Sequence, residues 1–107
     1  MTSETSNLFT QDGFLINFED WSKDIAKERA KLESIELTNE HWVIIFFLRE
    51  FYASKKKSPA IRLLVRALKE KFGDSKGNSI NLQTLFPDSP ALQAAKISGL
   101  PRPKRCI

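Results

Sequence analysis

TNEHWVIIFFLREFYAS, residues 38–54, decides how this chain folds. Thr38 stands at the position of a helix N-cap, and from Trp42 to Leu48 every residue is apolar before Phe51 and Tyr52 extend the run. A helix with that composition is apolar on every face rather than along one stripe. The spacing therefore predicts a helix over about 39–54, buried nearly all round and placed at the centre of the fold. His41 lies three residues after Thr38, where a polar side chain closes the first turn of a helix. No triad partner stands near it in sequence, so it reads as a cap rather than a general base.

Working outward toward the N-terminus, Asn17 and Asp20 have the spacing of an N-cap and a first-turn acid, and Trp21, Ile25, Arg29 and Leu32 recur at helical intervals. They predict a helix over about 18–33. Before it, Asp12-Gly13 sits between short apolar stretches, the signal of a tight β-hairpin, expected near the surface and outside the core. Trp21 and Trp42 fall on apolar faces and read as packing anchors rather than as platforms for bases.

Toward the C-terminus, Ser58-Pro59 predicts a helix start with proline at its first position, and Ile61, Leu64, Val65, Leu68 and Phe72 form one stripe that Gly73 ends. Residues 74–79 read as a polar loop and Leu82–Phe86 as one helical turn. Ser89-Pro90 opens a last short helix that stops before Gly99. No repeat, low-complexity stretch or domain boundary interrupts the pattern. The expected fold is mainly α: one compact helical domain spanning residues 1–107, with a small N-terminal β-hairpin, a disordered start (1–7) and a flexible C-terminal arm (99–107).

Composition supports a soluble protein, because 28% of the residues are charged and no apolar run is long enough to cross a membrane. The opening MTSETSNLF has neither a basic region nor an apolar core of the kind an export signal needs, and one cysteine cannot close an internal disulfide. A cytoplasmic protein is expected, without membrane or metal partners. One His and one Cys cannot supply the usual zinc ligands, and no glycine-rich phosphate loop is present, so no metal and no cofactor are expected.

Charge is unevenly placed. Residues 1–50 carry five Lys/Arg against ten Asp/Glu, whereas 54–76 carry eight against two. The pair of helices flanking Lys55-Lys56-Lys57 raises the idea of a helix-turn-helix, with Arg62 and Arg66 facing a nucleic acid. Charged residues on the outer face of an amphipathic helix are the ordinary case, however, and only Arg62 is placed to read a base.

The last nine residues, GLPRPKRCI (99–107), hold the only cysteine. Gly99 is expected to release the chain from the last helix, and Pro101 and Pro103 favour an extended path of about 3.1 Å per residue. Cys106 would then stand on the order of 20 Å from the body. Its thiolate is the nucleophilic form, which Lys104 and Arg105 favour and the carboxylate of Ile107 opposes. A thiol on a semi-rigid arm suits a carrier that accepts a group in one protein and releases it in another. Prenylation does not compete, since its signal places the cysteine fourth from the end.

The ending G-L-P-x-P-x-x-C-x, preceded by AAKISG (94–99), resembles the DsrC/TusE family of sulfur-carrier proteins, and DGFLINFEDW (12–21) resembles their N-terminal signature. The resemblance implies a mainly helical fold with an N-terminal hairpin, and sulfur carried as a persulfide on Cys106. The DsrC branch has a second cysteine eleven residues earlier, where this chain has Ala95, so the resemblance points to the TusE-like branch. It implies a sulfurtransferase that takes sulfur from a TusBCD-like donor complex and hands it to a tRNA 2-thiouridylase acting on the wobble uridine, with tRNA as an indirect partner and direct contact with it left open. Arg102, Lys104 and Arg105 would bind partners and stabilise the thiolate, and Gly99, Pro101 and Pro103 would shape the arm. The alternatives are a DsrC-like carrier or regulator in sulfur oxidation or sulfite reduction, and a helix-turn-helix module binding nucleic acid.

Overall fold

The computed structural model describes residues 9–103. The start at 1–7 and Lys104, Arg105, Cys106 and Ile107, to which the sequence assigns disorder and function, lie outside the described residues. A 3-10 turn at Phe18–Asp20 is followed by five α-helices: α1 (Lys23–Leu32), α2 (Asn39–Lys55), α3 (Ile61–Phe72), α4 (Ser79–Leu85) and α5 (Pro90–Ser98). Among the described residues no helix is long and apolar enough to cross a membrane.

The expected N-terminal hairpin is reduced to one antiparallel bridge between Phe9 and Leu15, closed around Gly13 at φ 91°. Its residues are not peripheral as expected, because Phe14 and Leu15 are each only 2% exposed and Phe14 packs into the main core. The helix expected over 18–33 is broken, since Trp21 is extended (ψ 147°) and Ser22, not Asn17, caps α1 by accepting from Ile25 N–H at 3.3 Å. α1 ends with Ser34 in the left-handed region (φ 61°), Ile35 N–H donating to Ala30 at 2.8 Å, and Ile35 buried.

α2 begins where Thr38 predicts. Nδ1 of His41 accepts from the Thr38 backbone N–H at 3.0 Å and lies 2.9 Å from the Thr38 hydroxyl, while Nε2 lies 2.8 Å from the carbonyl of Leu85. An N–H on one side and a carbonyl on the other assign the neutral tautomer with its proton on Nε2. The ring also meets Phe86 edge-on at 5.2 Å. Both nitrogens are thus committed to joining the start of α2 to the end of α4, in keeping with a cap.

α3 starts two residues later than Ser58-Pro59 suggests, with Ala60 as its N-cap, because Pro59 is buried outside the helix and Ser58 is engaged elsewhere. α4 starts three residues earlier than expected, since Asn78 caps it by accepting from Asn81 N–H at 2.7 Å.

The centre of the fold is α5 rather than α2. α1, α2, α3 and α4 all pack against α5, and Gln93, Ala94, Ala95, Ile97 and Ser98 are buried. The sequence of α2 is more apolar, but its bulk keeps it to one side: Ile44, Ile45 and Leu48 face the core while Phe46 is 42% exposed. Two adjacent alanines let neighbours approach α5 closely from several directions, a freedom that α2 lacks.

Polar contacts fix the start of α5. Gln93 Oε1 accepts from the N–H groups of Asp88 (3.1 Å) and Ser89 (3.3 Å), and its Nε2 donates to Glu33 Oε1 at 3.1 Å. Lys96 Nζ completes the group at 3.3 Å from Glu33 Oε2. Burial alone would raise the Glu33 carboxyl, but the bond from Gln93, the bond and charge of Lys96 and the charge of Arg29 together hold it below its ordinary value. A carboxyl depressed in the folded state adds stability above its unfolded pKa, and that stability is lost as pH falls through the folded one. Urea midpoints of the parent should therefore fall relative to those of Glu33→Gln as the pH is lowered from about 5 to about 3. Parallel curves for the two proteins would show that the carboxylate is not coupled to folding.

Candidate functional site: the root of the cysteine-bearing arm

A helix leaves its last four carbonyls without intrahelical partners. In α5 that end is buried, so water cannot supply them and each finds a donor in the protein. Leu100 N–H donates to Ala95 at 3.0 Å and Gly99 N–H to Lys96 at 3.4 Å, the two bonds of a Schellman motif with Gly99 at φ 77°. The indole Nε1 of Trp21 donates to Ile97 at 2.9 Å, and Nη1 of Arg49 donates to Ser98 at 3.1 Å. Leu100, which closes the motif, is fully buried in the core.

Arg49 does more than cap. Its Nη2 donates to the carbonyl of Phe18 at 2.9 Å, tying the 3-10 turn to the end of α5, and its guanidinium lies 3.7 Å from the Phe18 ring centroid and 4.5 Å from that of Trp21. Burial pushes the guanidinium below its ordinary value, since it has exchanged water for carbonyls and ring faces. It remains charged, as arginine does throughout the working range. The aromatic layer continues through Phe18 to Tyr52 at 4.8 Å and through Trp21 to Phe46 at 6.1 Å.

Beyond Leu100 the chain is held from outside. The Ser58 hydroxyl donates to the Pro101 carbonyl at 2.6 Å, and Arg102 Nη1 reaches Asp12 Oδ2 at 3.4 Å. The latter pair is exposed on both sides and contributes little to stability. Of the expected arm residues, Gly99 and Leu100 are part of the packed body, Pro101 is tethered, and Arg102 faces Asp12 of the N-terminal turn. Pro103 is half-buried.

Sequence reading identified Gly99, Pro101, Arg102 and Trp21 but missed Arg49 and Ser58. Arg49 had a usable signal, as the sole cation inside the apolar run from Trp42 to Tyr52, where a charge must find partners to be tolerated. Ser58 read as a helix start and gave none. Arg62 and Arg66 are exposed on α3. Among the described residues no three His, Cys, Asp or Glu side chains converge. An open groove of about 500 Å³ is lined by Lys27, Lys31, Ser34, Glu36, Leu37 and Trp42 among others, and among the described residues no His, Cys or Asp side chain lines it.

Fold and site together define a helical scaffold that fixes the root of a short segment carrying one thiol. A family model described as "DsrC like protein" matches residues 2–107, and the chain belongs to that family. It is 53% identical over 97 residues to the sulfurtransferase TusE homolog of Haemophilus influenzae, covering 91% of this chain and 89% of that one. It is 54% identical over 95 residues to the sulfurtransferase TusE of Photorhabdus laumondii, covering 89% and 86%. Among solved structures, the NMR structure of Allochromatium vinosum DsrC superposes with a TM-score of 0.85 at 45% identity, covering 92% of this chain and 88% of the other. The oxidized DsrC γ-subunit of the dissimilatory sulfite reductase of Archaeoglobus fulgidus gives 0.73 at 33% identity, covering 92% and 90%.

Gly99 is the residue on which this root is built. A Cβ added there would lie 2.6 Å from Trp21 Cδ1 and 2.9 Å from Arg49 Nη1, so any side chain displaces both carbonyl donors and also meets the left-handed backbone. Gly99→Ala should lower the unfolding free energy by about 2–4 kcal/mol in urea titrations. Arg49→Lys should also destabilise, because an ammonium cannot reproduce the fork that reaches Ser98 and Phe18 together. Parent-like midpoints for both would mean that the root is not held as described.

Proposed function

We propose that this sulfurtransferase carries sulfur as a persulfide on Cys106 within a cytoplasmic sulfur relay. It accepts the sulfur from a TusBCD-like donor complex and passes it to a tRNA 2-thiouridylase. The observation that carries this reading is the only cysteine of the chain, three residues past Pro103, on a body whose sole histidine is locked into a cap. In the transfer step the Cys106 thiolate attacks the outer sulfur of a donor persulfide. The Cys106–S–SH bond forms, the donor S–S bond breaks, and the donor leaves as a thiolate, so no outside oxidant or reductant is consumed. Lys104 and Arg105 favour the attacking thiolate and, with Arg102, dock the arm electrostatically.

The TusE-like branch is favoured over a sulfite-reductase role by Ala95. That residue is buried within α5, where a second thiol would be needed to close an internal disulfide or trisulfide with Cys106.

Incubation with a persulfide donor should add about 32 Da to the intact mass, removable by a thiol reductant, and Cys106→Ser should abolish the gain without changing the urea midpoint. Sulfur found on Cys106→Ser would refute the assignment. Deleting Arg102–Arg105, which keeps the Gly99–Pro101 root, should block single-turnover transfer from a pre-loaded donor while leaving stability within about 0.5 kcal/mol of the parent. Transfer at the parent rate would mean that the length of the arm plays no part.

A further inference from the structure

Lys55, the last residue of α2, and Lys56 and Lys57 in the turn that follows are exposed, as are Arg62, Arg66 and Lys69 on α3. Two other cations of this region are compensated, Lys71 by Glu50 at 3.9 Å and Lys76 by Glu40 at 2.9 Å, but these six form no ion pair among the described residues. On α3, Arg62, Arg66 and Lys69 fall within about 60° of arc and span about 10 Å along the axis. That is the length of several phosphates on one nucleic-acid strand. The Lys55–Lys57 segment leads directly into Ser58, whose hydroxyl holds the Pro101 carbonyl at 2.6 Å. The segment that carries Cys106 therefore leaves the body beside this cationic face.

The make-up of the face decides between two kinds of partner. A protein interface needs apolar or aromatic anchors at its centre and is depleted in lysine. The exposed large apolar residues of the described chain are Ile16, Leu32, Phe46 and Ile80, and none lies in either basic segment. Four lysines and two arginines without an apolar anchor suit a phosphate backbone, which is bound through charge and counterion release. The face offers little to read bases, so binding should be largely independent of sequence.

We propose that the Lys55–Lys57 segment and the Arg62–Arg66–Lys69 flank of α3 form a docking surface for the phosphate backbone of a structured RNA, held next to the root of the sulfur-bearing arm. The choice of RNA rests on the carrier reading above; the phosphate chemistry rests on the six cations alone. The carrier would then touch the RNA directly instead of meeting it only through the thiouridylase.

The test uses the full chain and a fluorescein-labelled RNA stem–loop, with anisotropy read between about 50 and 200 mM salt. The parent should show a log–log salt slope of about −4 to −5 and lose about 10²- to 10³-fold in affinity across that range. The triple variants Lys55→Ala/Lys56→Ala/Lys57→Ala and Arg62→Ala/Arg66→Ala/Lys69→Ala should each cut the slope by about half while retaining the parent's urea midpoint. Unchanged RNA affinity in both variants would overturn the proposal. So would displacement of the RNA by poly-glutamate at equal charge concentration, which would mark the face as one for an acidic protein. Persulfide loading of Cys106, followed by mass in the same variants, separates the two readings. Normal loading with unchanged slopes defeats the RNA surface alone, whereas absent loading in the parent defeats the carrier reading and leaves the salt slopes as an independent result.

Discussion

The structure depends on one requirement, that the buried C-terminal end of α5 have all four of its last carbonyls hydrogen-bonded. An unpaired carbonyl removed from water costs about 1–3 kcal/mol, so four of them would consume much of the stability of a domain this size. Two are satisfied locally by the turn at Gly99, and two by Trp21 and Arg49 from distant parts of the chain. Satisfying them fixes where the 3-10 turn, α2 and α5 sit relative to one another. It also explains the break of the N-terminal helix at Trp21: an extended residue there presents the indole N–H to Ile97.

The same contacts bring the two ends of the described chain together. Phe14 is in the core, the aliphatic part of Lys96 runs near Gly13, and Arg102 lies against Asp12. The N-terminal turn is therefore part of the platform from which the arm departs. Local hydrogen bonds close it, with Thr10 N–H donating to Phe14 at 2.8 Å and Gly13 N–H to Thr10 at 3.0 Å. Burial of Phe14 and Leu15 holds it down where a two-stranded hairpin on its own would be marginal in water.

Much of this was legible in the sequence where local chemistry decides the outcome. The Thr38 cap with His41, the Gly73 and Gly99 stops, the Ser89-Pro90 start and the turn at Asp12-Gly13 all appear where their residues indicate. What escaped was decided by tertiary partners. α2 seemed central because apolar content is visible in a sequence, whereas the small size of Ala94 and Ala95, which lets four helices converge on α5, becomes informative only once neighbours are present. The delayed start of α3 follows from a contact between Ser58 and Pro101, forty-three positions apart, and no pattern of period two or 3.6 reports such a pairing. Arg49 lay between, since a single cation in an apolar helix marks a need for partners without saying which carbonyls supply them.

Moving the base of the arm from Gly99 to Pro101 changes what the arm can do. Sequence reasoning counted seven residues of reach from Gly99, but Gly99 and Leu100 are packed and the Pro101 carbonyl is held by Ser58. Counted from Pro101 instead of Gly99, five residues rather than seven lead to Cys106. For the carrier role proposed above, fewer residues between a fixed root and the thiol mean less chain entropy to lose on docking. The same proposed role requires that a partner receiving the sulfur come close to the body, near the surface around Ser58 and Arg102. Contacts made by the body would then help to place the sulfur, and specificity would be shared between the arm and the face it leaves. The Ser58 tether is a single exposed hydrogen bond, of the order of 1 kcal/mol. A partner that offers the Pro101 carbonyl another donor can release it at little cost and recover a few ångströms of reach.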